Sequence, residues 1–188
     1  MRIKTLLGLT VVGILCLSCQ SNVYQINGFA CDFNDGDTIC LHHEADENGS
    51  VFITQVIDGK FSFGGKVDAC TLCHIYTKKN PGSAVYFFLE PGQITVELSL
   101  APERSRVSGT AINNTWQQLN DSIHLLGKEV VRTSILPMAD STTQVQRAKT
   151  IDSLHHRMSD CILNTARCNS DNPIGQYIKK NYKAPEFN

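Results

Sequence analysis

The chain has 188 residues, 41% of them hydrophobic and 19% charged, which suits one globular domain, alone or with an appendage, and excludes a disordered chain. Seventeen basic residues balance eighteen acidic ones, and no basic run follows the N-terminus, so a nucleic-acid partner is not expected. Eight cysteines are many for a reduced cytosolic protein and point to an oxidising compartment or to a site that uses thiols.

At the N-terminus, Arg2 and Lys4 form a short positive region, and residues 6–17 are an apolar run. That run is too short for an ordinary membrane span and right for the core of a signal sequence. Leu17-Ser18-Cys19 then resembles a bacterial lipobox, with Cys16 standing where an aliphatic residue is usual. The expectation is a signal peptide over residues 1–18 and a lipid on Cys19, which removes that thiol from any disulfide or metal site. No acidic cluster follows in Gln20-Ser21-Asn22, so the expected location is the cell envelope, lipid-anchored and facing the periplasm.

Residues 23–33 read as a first strand and 38–43 as its return, around the hairpin dipeptide Asp35-Gly36. Residues 44–50 are a polar loop. Residues 51–57 and 60–64 flank a second two-residue turn, Asp58-Gly59, which sets Val56 opposite Phe61 and Thr54 opposite Phe63, with Phe52 on the same buried face. Residues 67–77 follow as a strand, 78–83 as a loop around Pro81-Gly82, then strands at 85–90 and 94–100 and a last short one at 107–110. Short strands with turn signals at this spacing predict a two-layer antiparallel β-sandwich over residues 19–110.

From residue 111 the period changes. Trp116, Leu119, Ile123, Leu126 and Val130 recur at three- and four-residue steps, and Ile151, Leu154, Met158, Cys161, Thr165 and Cys168 make a second stripe. Asn114 with Gln117, and Ser141 with Gln144, read as capping starts, and Leu136-Pro137 as a stop. A helical hairpin is expected over residues 111–183, with a third short helix at 174–182 and a tail at 184–188. The fold class is thus mainly β with C-terminal helices.

One local pattern advertises chemistry, Cys70-Thr71-Leu72-Cys73-His74. On paper Cys-x-x-Cys-His attaches c-type haem, and Cys-x-x-Cys alone is a redox dithiol. Here β-branched and aromatic residues follow instead of a helix. If residues 69–77 are extended, the two thiols leave opposite faces and lie about 10 Å apart, beyond the reach of a disulfide. Strand cysteines without chemistry are therefore favoured over a dithiol at Cys70 and Cys73, and over a haem or metal ligand set that adds His74.

Pairing across Asp35-Gly36 places Cys31 opposite Cys40 at a position where side chains come close. Either a cross-strand disulfide or two buried thiols fits, and an oxidising compartment favours the bond. Cys161 and Cys168 rise about 10.5 Å apart along a helix and read as core thiols. His42 and His43 diverge on a strand, as His155 and His156 do on a helix, so no metal site and no cofactor is expected. Glu90 reads as a turn residue before Pro91-Gly92.

The order of motifs also resembles a known module. Val56-Ile57-Asp58-Gly59-Lys60-Phe61-Ser62-Phe63, then Phe87-Phe88-Leu89-Glu90-Pro91-Gly92, then Ser108-Gly109-Thr110 with Asn113 or Asn114, is similar to the β-rich domain of unknown function found N-terminal to thioredoxin-like thiol–disulfide oxidoreductases in envelope lipoproteins of anaerobic Gram-negative bacteria. Lys183-Ala184-Pro185-Glu186-Phe187 resembles the opening of that family's thioredoxin-like domain, whose strand, dithiol and helix do not follow here. The resemblance implies an accessory module without its enzyme, and no catalytic residue carries over. The expected function is a non-catalytic, lipid-anchored envelope module that binds a protein partner or forms a homo-oligomer in thiol–disulfide oxidoreductase systems. The rivals are a redox protein using Cys70 and Cys73 and a haem protein using those thiols with His74.

Overall fold

In the N-terminal half alternate side chains leave opposite faces, the period of a strand. A computed structural model describes residues 22–44, 51–137 and 140–182. Its strands are β1 Val23–Phe29, β2 Thr38–His43, β3 Val51–Gln55, β4 Lys60–Lys66, β5 Thr71–Thr77, β6 Asn80–Leu89, β7 Gly92–Glu97 and β8 Arg106–Ser108, with a 3-10 turn at Pro102–Arg104 before the last. They form two four-stranded sheets, ordered β4-β1-β7-β8 and β3-β2-β5-β6. Tyr24, Ile26, Phe61, Phe63, Ile94 and Val96 from the first sheet meet Ile39, Leu41, Cys73, Ile75, Phe87 and Leu89 from the second in one core. Each large apolar side chain buried there contributes about 1.5–3 kcal/mol. The sandwich expected from the alternation is present.

Its connections differ from the simple hairpins that the turns suggest. Asp37 N–H donates to the Asn34 carbonyl at 3.0 Å, so the turn at residues 34–37 forms. But β1 pairs antiparallel with β4 and parallel with β7, while β2 pairs with β3 and β5 in the other sheet. The segment is an arch between layers, not a hairpin, because β1 and β2 each bury an apolar face that must look across the sandwich at the other. The expected ladder position facing Cys31 to Cys40 is therefore not made. The β1–β7 pair is parallel, which makes the first sheet mixed within a sandwich whose other pairs are antiparallel.

The second turn forms as expected and then divides. Ile57 and Lys60 exchange both backbone hydrogen bonds at 2.9 and 3.0 Å across Asp58 (φ 51°) and Gly59 (φ 67°), left-handed conformations that mark a type I′ turn. Beyond that bridge β3 and β4 part into different sheets, so Thr54 does not face Phe63, and Phe52 stands 49% exposed. The loop expected at 78–83 is shorter: Thr77 pairs with Asn80 across Lys78 and Lys79, with a bulge between Ile75 and Thr77, and Pro81-Gly82 lies inside β6.

Three helices follow, α1 Ala111–Ser134, α2 Ser141–Cys168 and α3 Pro173–Asn181. Their N-caps lie one to four residues before the expected capping residues, or where a helix end was expected. Thr110 accepts from Asn113 N–H, Asp140 from Thr143 N–H, and Asn172 caps α3 with Pro173 in its first turn. Leu119 of α1, Ala166 of α2 and Ile174 and Ile178 of α3 gather around Phe88, which points out of β6 opposite to Phe87. Phe88, Trp116 and Tyr177 meet edge to face, with ring centroids 5.4–6.0 Å apart. The helices thus cover part of the outer face of the second sheet. On α2 the buried positions are Leu154, Leu163 and Ala166, so Cys161 is half-buried and Cys168, at the helix end, is exposed rather than a core thiol.

Candidate functional site

Strand β5 decides the fate of the Cys-x-x-Cys-His motif. Its alternation sends Cys73 into the sandwich core, fully buried, opposite Phe87 on β6. Cys70, immediately before the strand, packs with Leu72 under the helices on the other side of the sheet. The two thiols are separated by the sheet itself. Burial pushes Cys70 up to about 12, helped by the Glu90 carboxylate, and burial pushes Cys73 up to about 12, helped by Cys70 and Glu44. Both are protonated at neutral pH, and the thiolate is the form that attacks disulfides and binds metals. The structure does not bring Cys70, Cys73 and His74 to one point.

Cys31 lies in the arch after β1, exposed, and Cys40 is buried on β2; both are free thiols. Residues 1–18, the lipobox residue Cys19 and the tail at 184–188 lie outside the described residues. No helix among the described residues is long and apolar enough to cross a membrane.

His74 has a different setting. It leaves the outer face of β5, and the β2–β5 ladder places it directly opposite His42. Their rings stand 5.0 Å apart, and His74 also stacks against Tyr76 and Tyr86 at 5.3 and 5.1 Å. Glu44, two residues beyond His42 on the same side, sets Oε1 2.6 Å from His74 Nδ1. One ligand atom from each of His42, Glu44 and His74 lies within 4.8 Å of the others. His42 Nδ1 is buried and has no hydrogen-bond partner among the described residues.

The sequence shows that His42 and His43 diverge on their strand, and the ladder adds that His74 of the neighbouring strand lies beside His42. The signal in the sequence is slight: His42 and Glu44 share a strand face by their two-residue spacing, but only the register brings His74 to them.

A cleft of about 420 Å³ lies between the β6 edge and α1, lined by Tyr86, Arg106, Trp116, Asp121, His124 and Tyr177. Arg106 and Asp121 in its lining pair at 3.4 Å, and Glu103 adds a further carboxylate.

Residues 24–116 match the family model of a domain of unknown function, DUF4369. No curated protein matches the chain. The DUF4369 match runs from β1 through the sandwich and ends at Trp116, so it includes the first turns of α1. Those turns carry Asn113 and Trp116, whose side chains bond to the β6 backbone. The motif residues Ser108-Gly109-Thr110 and Asn113 are therefore structural: Asn113 holds β6, and Asn114 accepts from Gly109 N–H at 3.1 Å.

Proposed function

We propose that this chain is a non-catalytic module of the cell envelope, held on the periplasmic side by a lipid on Cys19, that works by pairing with a second copy of itself and serves thiol–disulfide oxidoreductase systems. The observation that carries the pairing is the outer edge of β3. That strand ends its sheet, and among the described residues no strand pairs with its far side. An unpaired strand edge is a ready template for another strand, and proteins usually guard it with charge or proline. The sequence Val51-Phe52-Ile53-Thr54-Gln55 has neither, and Val51, Phe52 and Ile53 are 42%, 49% and 69% exposed. An antiparallel pairing of two such strands about a dyad at Ile53 puts Phe52 against Thr54 and no like charges together.

The non-catalytic reading is supported by two thiols held protonated on opposite sides of a sheet. The envelope setting is supported by Arg2, Lys4, the apolar run and the lipobox pattern at Cys19. The link to thiol–disulfide systems rests on the resemblance of the sandwich and its motifs to modules that precede thioredoxin-like domains.

The test is the mass of the detergent-extracted protein by sedimentation, for wild type and for Ile53→Lys. A wild-type dimer that the substitution converts to monomer is expected. A monomeric wild type, or a dimer indifferent to the lysine, overturns the pairing. Mass spectrometry of the same material with and without reductant addresses the rivals, since a haem adduct or a reducible Cys70–Cys73 bond overturns the non-catalytic reading. Cys19→Ala is expected to leave the membrane fraction.

A further inference from the structure

We propose that His42, Glu44 and His74 form a binding site for one divalent transition-metal ion, with zinc the best-suited ligand. The site goes beyond the pairing at β3 and does not depend on it. Its residues come from two strands whose register is fixed by the core beneath: Leu41 and Ile75 pair in the same ladder and point inward, fully buried, so His42 and His74 must both point outward. Glu44 continues the same face at the end of β2. The three groups converge because the sheet holds them, not because long side chains reach for one another.

The donor set fits the ion. Two imidazole nitrogens and one carboxylate oxygen are a recurrent zinc set, and they leave a fourth position open to water. A tetrahedral zinc with bonds of about 2.0–2.1 Å keeps its ligand atoms about 3.3 Å apart. The three atoms here lie within 4.8 Å of one another, so turning the side chains about their rotatable bonds closes the remainder. His74 Nδ1 and Glu44 Oε1 already stand at 2.6 Å, so the two groups are in contact before an ion arrives and a metal bound to both takes the place of that hydrogen bond. His42 contributes the second observation. Its Nδ1 is buried without a partner among the described residues, and a nitrogen in that state costs free energy that a metal bond removes.

The surroundings fix orientation. Tyr76 and Tyr86 stack on the His74 ring and limit its rotation. The His74 side chain is 17% exposed and that of Glu44 40%, so an ion can enter from solvent without the fold opening. The Cys73 thiol points into the sandwich core on the opposite face of β5, and Cys70 packs under the helices, so neither thiol joins the three groups.

The test titrates the full-length, detergent-solubilised protein with Zn2+ by calorimetry and with Co2+ by absorption. One equivalent of zinc per chain is expected, and a cobalt spectrum free of thiolate charge-transfer bands. His42→Asn and His74→Gln should each weaken zinc binding by at least about tenfold. The two variants should keep the wild-type far-UV circular dichroism, while His155→Ala with His156→Ala should leave zinc binding unchanged. Zinc should also raise the melting temperature of wild type and not of His74→Gln. Absence of stoichiometric zinc, binding indifferent to both substitutions, or a thiolate band in the cobalt spectrum overturns the site.

Discussion

Asn113 on α1 closes the edge of β6 by hydrogen-bonding both backbone groups of Phe88: its Oδ1 accepts from Phe88 N–H at 2.9 Å, and its Nδ2 donates to the Phe88 carbonyl at 2.8 Å. A side-chain amide thereby does what a neighbouring strand would do. Trp116 Nε1 extends the arrangement by donating to the Tyr86 carbonyl at 2.9 Å, two residues along the same edge. On the other sheet Gln117 Oε1 accepts from Val107 N–H at 2.8 Å. The first turns of α1 thus seal the open side of both sheets, where β6 and β8 end. At the opposite end of the second sheet β3 has no such guard among the described residues.

Asn113→Ala should therefore destabilise the protein by about 2–4 kcal/mol, because it orphans a buried N–H and a buried carbonyl together. Asn113 itself is fully buried, so water does not replace the amide without opening the contact. Asn114→Ala, which removes one exposed bond, should cost about 0.5–1 kcal/mol. Urea midpoints of the two variants check the ordering, and equal losses would show that the edge is held by something other than the amide.

What the sequence discloses is local. Alternation marks the strands, Asp58-Gly59 marks a turn that forms with the expected geometry, and the stripe through Trp116 and Leu119 marks α1. Sheet membership is not local. The arch at residues 34–37 and the turn at Asp58-Gly59 carry the same dipeptide, Asp-Gly, yet at both places the chain passes from one sheet to the other. A turn dipeptide specifies how the chain reverses and not which layer receives it; that depends on which apolar faces meet across the core. Cys31 and Cys40 were opposed by a hairpin rule that this arch does not obey. The converse holds for His74, which the motif assigns to Cys70 and Cys73 and the ladder assigns to His42.

The thiols should sort by chemical modification. Cys31 and Cys168 are exposed and should react with iodoacetamide in the native protein. Cys70 and Cys73, at about 12 against the ordinary 9.0, carry about a thousandfold less thiolate at any pH well below both values, and burial slows them further. Peptide mapping should find both unmodified until denaturant is added. Labelling of Cys70 and Cys73 as fast as Cys31 would revive the dithiol reading.

Gly28 faces Phe61 across the β1–β4 ladder, and the ring lies over the glycine. A Cβ at residue 28 would stand 2.2 Å from the ring, and Phe61 is buried, with little room to withdraw. Gly28→Ala should cost about 1–3 kcal/mol from overpacking. Phe61→Leu alone loses apolar burial, but combined with Gly28→Ala it should cost less than the sum, with a coupling of about 0.5 kcal/mol or more. Denaturation of both single variants and the double variant measures it, and strict additivity would rule out the contact as the reason for glycine.

Asp37 should link stability to acid pH. It is buried where the arch enters β2, and its carboxylate accepts from Asn34 N–H at 3.1 Å and from the Lys79 ammonium in the β5–β6 turn. The Lys79 ammonium first, and the Asn34 N–H second, hold the carboxyl below its ordinary value of 3.8. A folded value lower than the unfolded one means that the group's contribution is complete above the unfolded value and is lost as pH falls through the folded one. Asp37→Asn should accordingly be less stable than wild type near neutral pH, and the difference should shrink as pH drops below about 4. Lys79→Ala should show the same pH dependence with a smaller difference, because the Asn34 bond remains. Urea midpoints of the three proteins across that range provide the comparison, and a difference that stays constant down to about pH 2 would mean that the ionised carboxylate of Asp37 contributes nothing to folding.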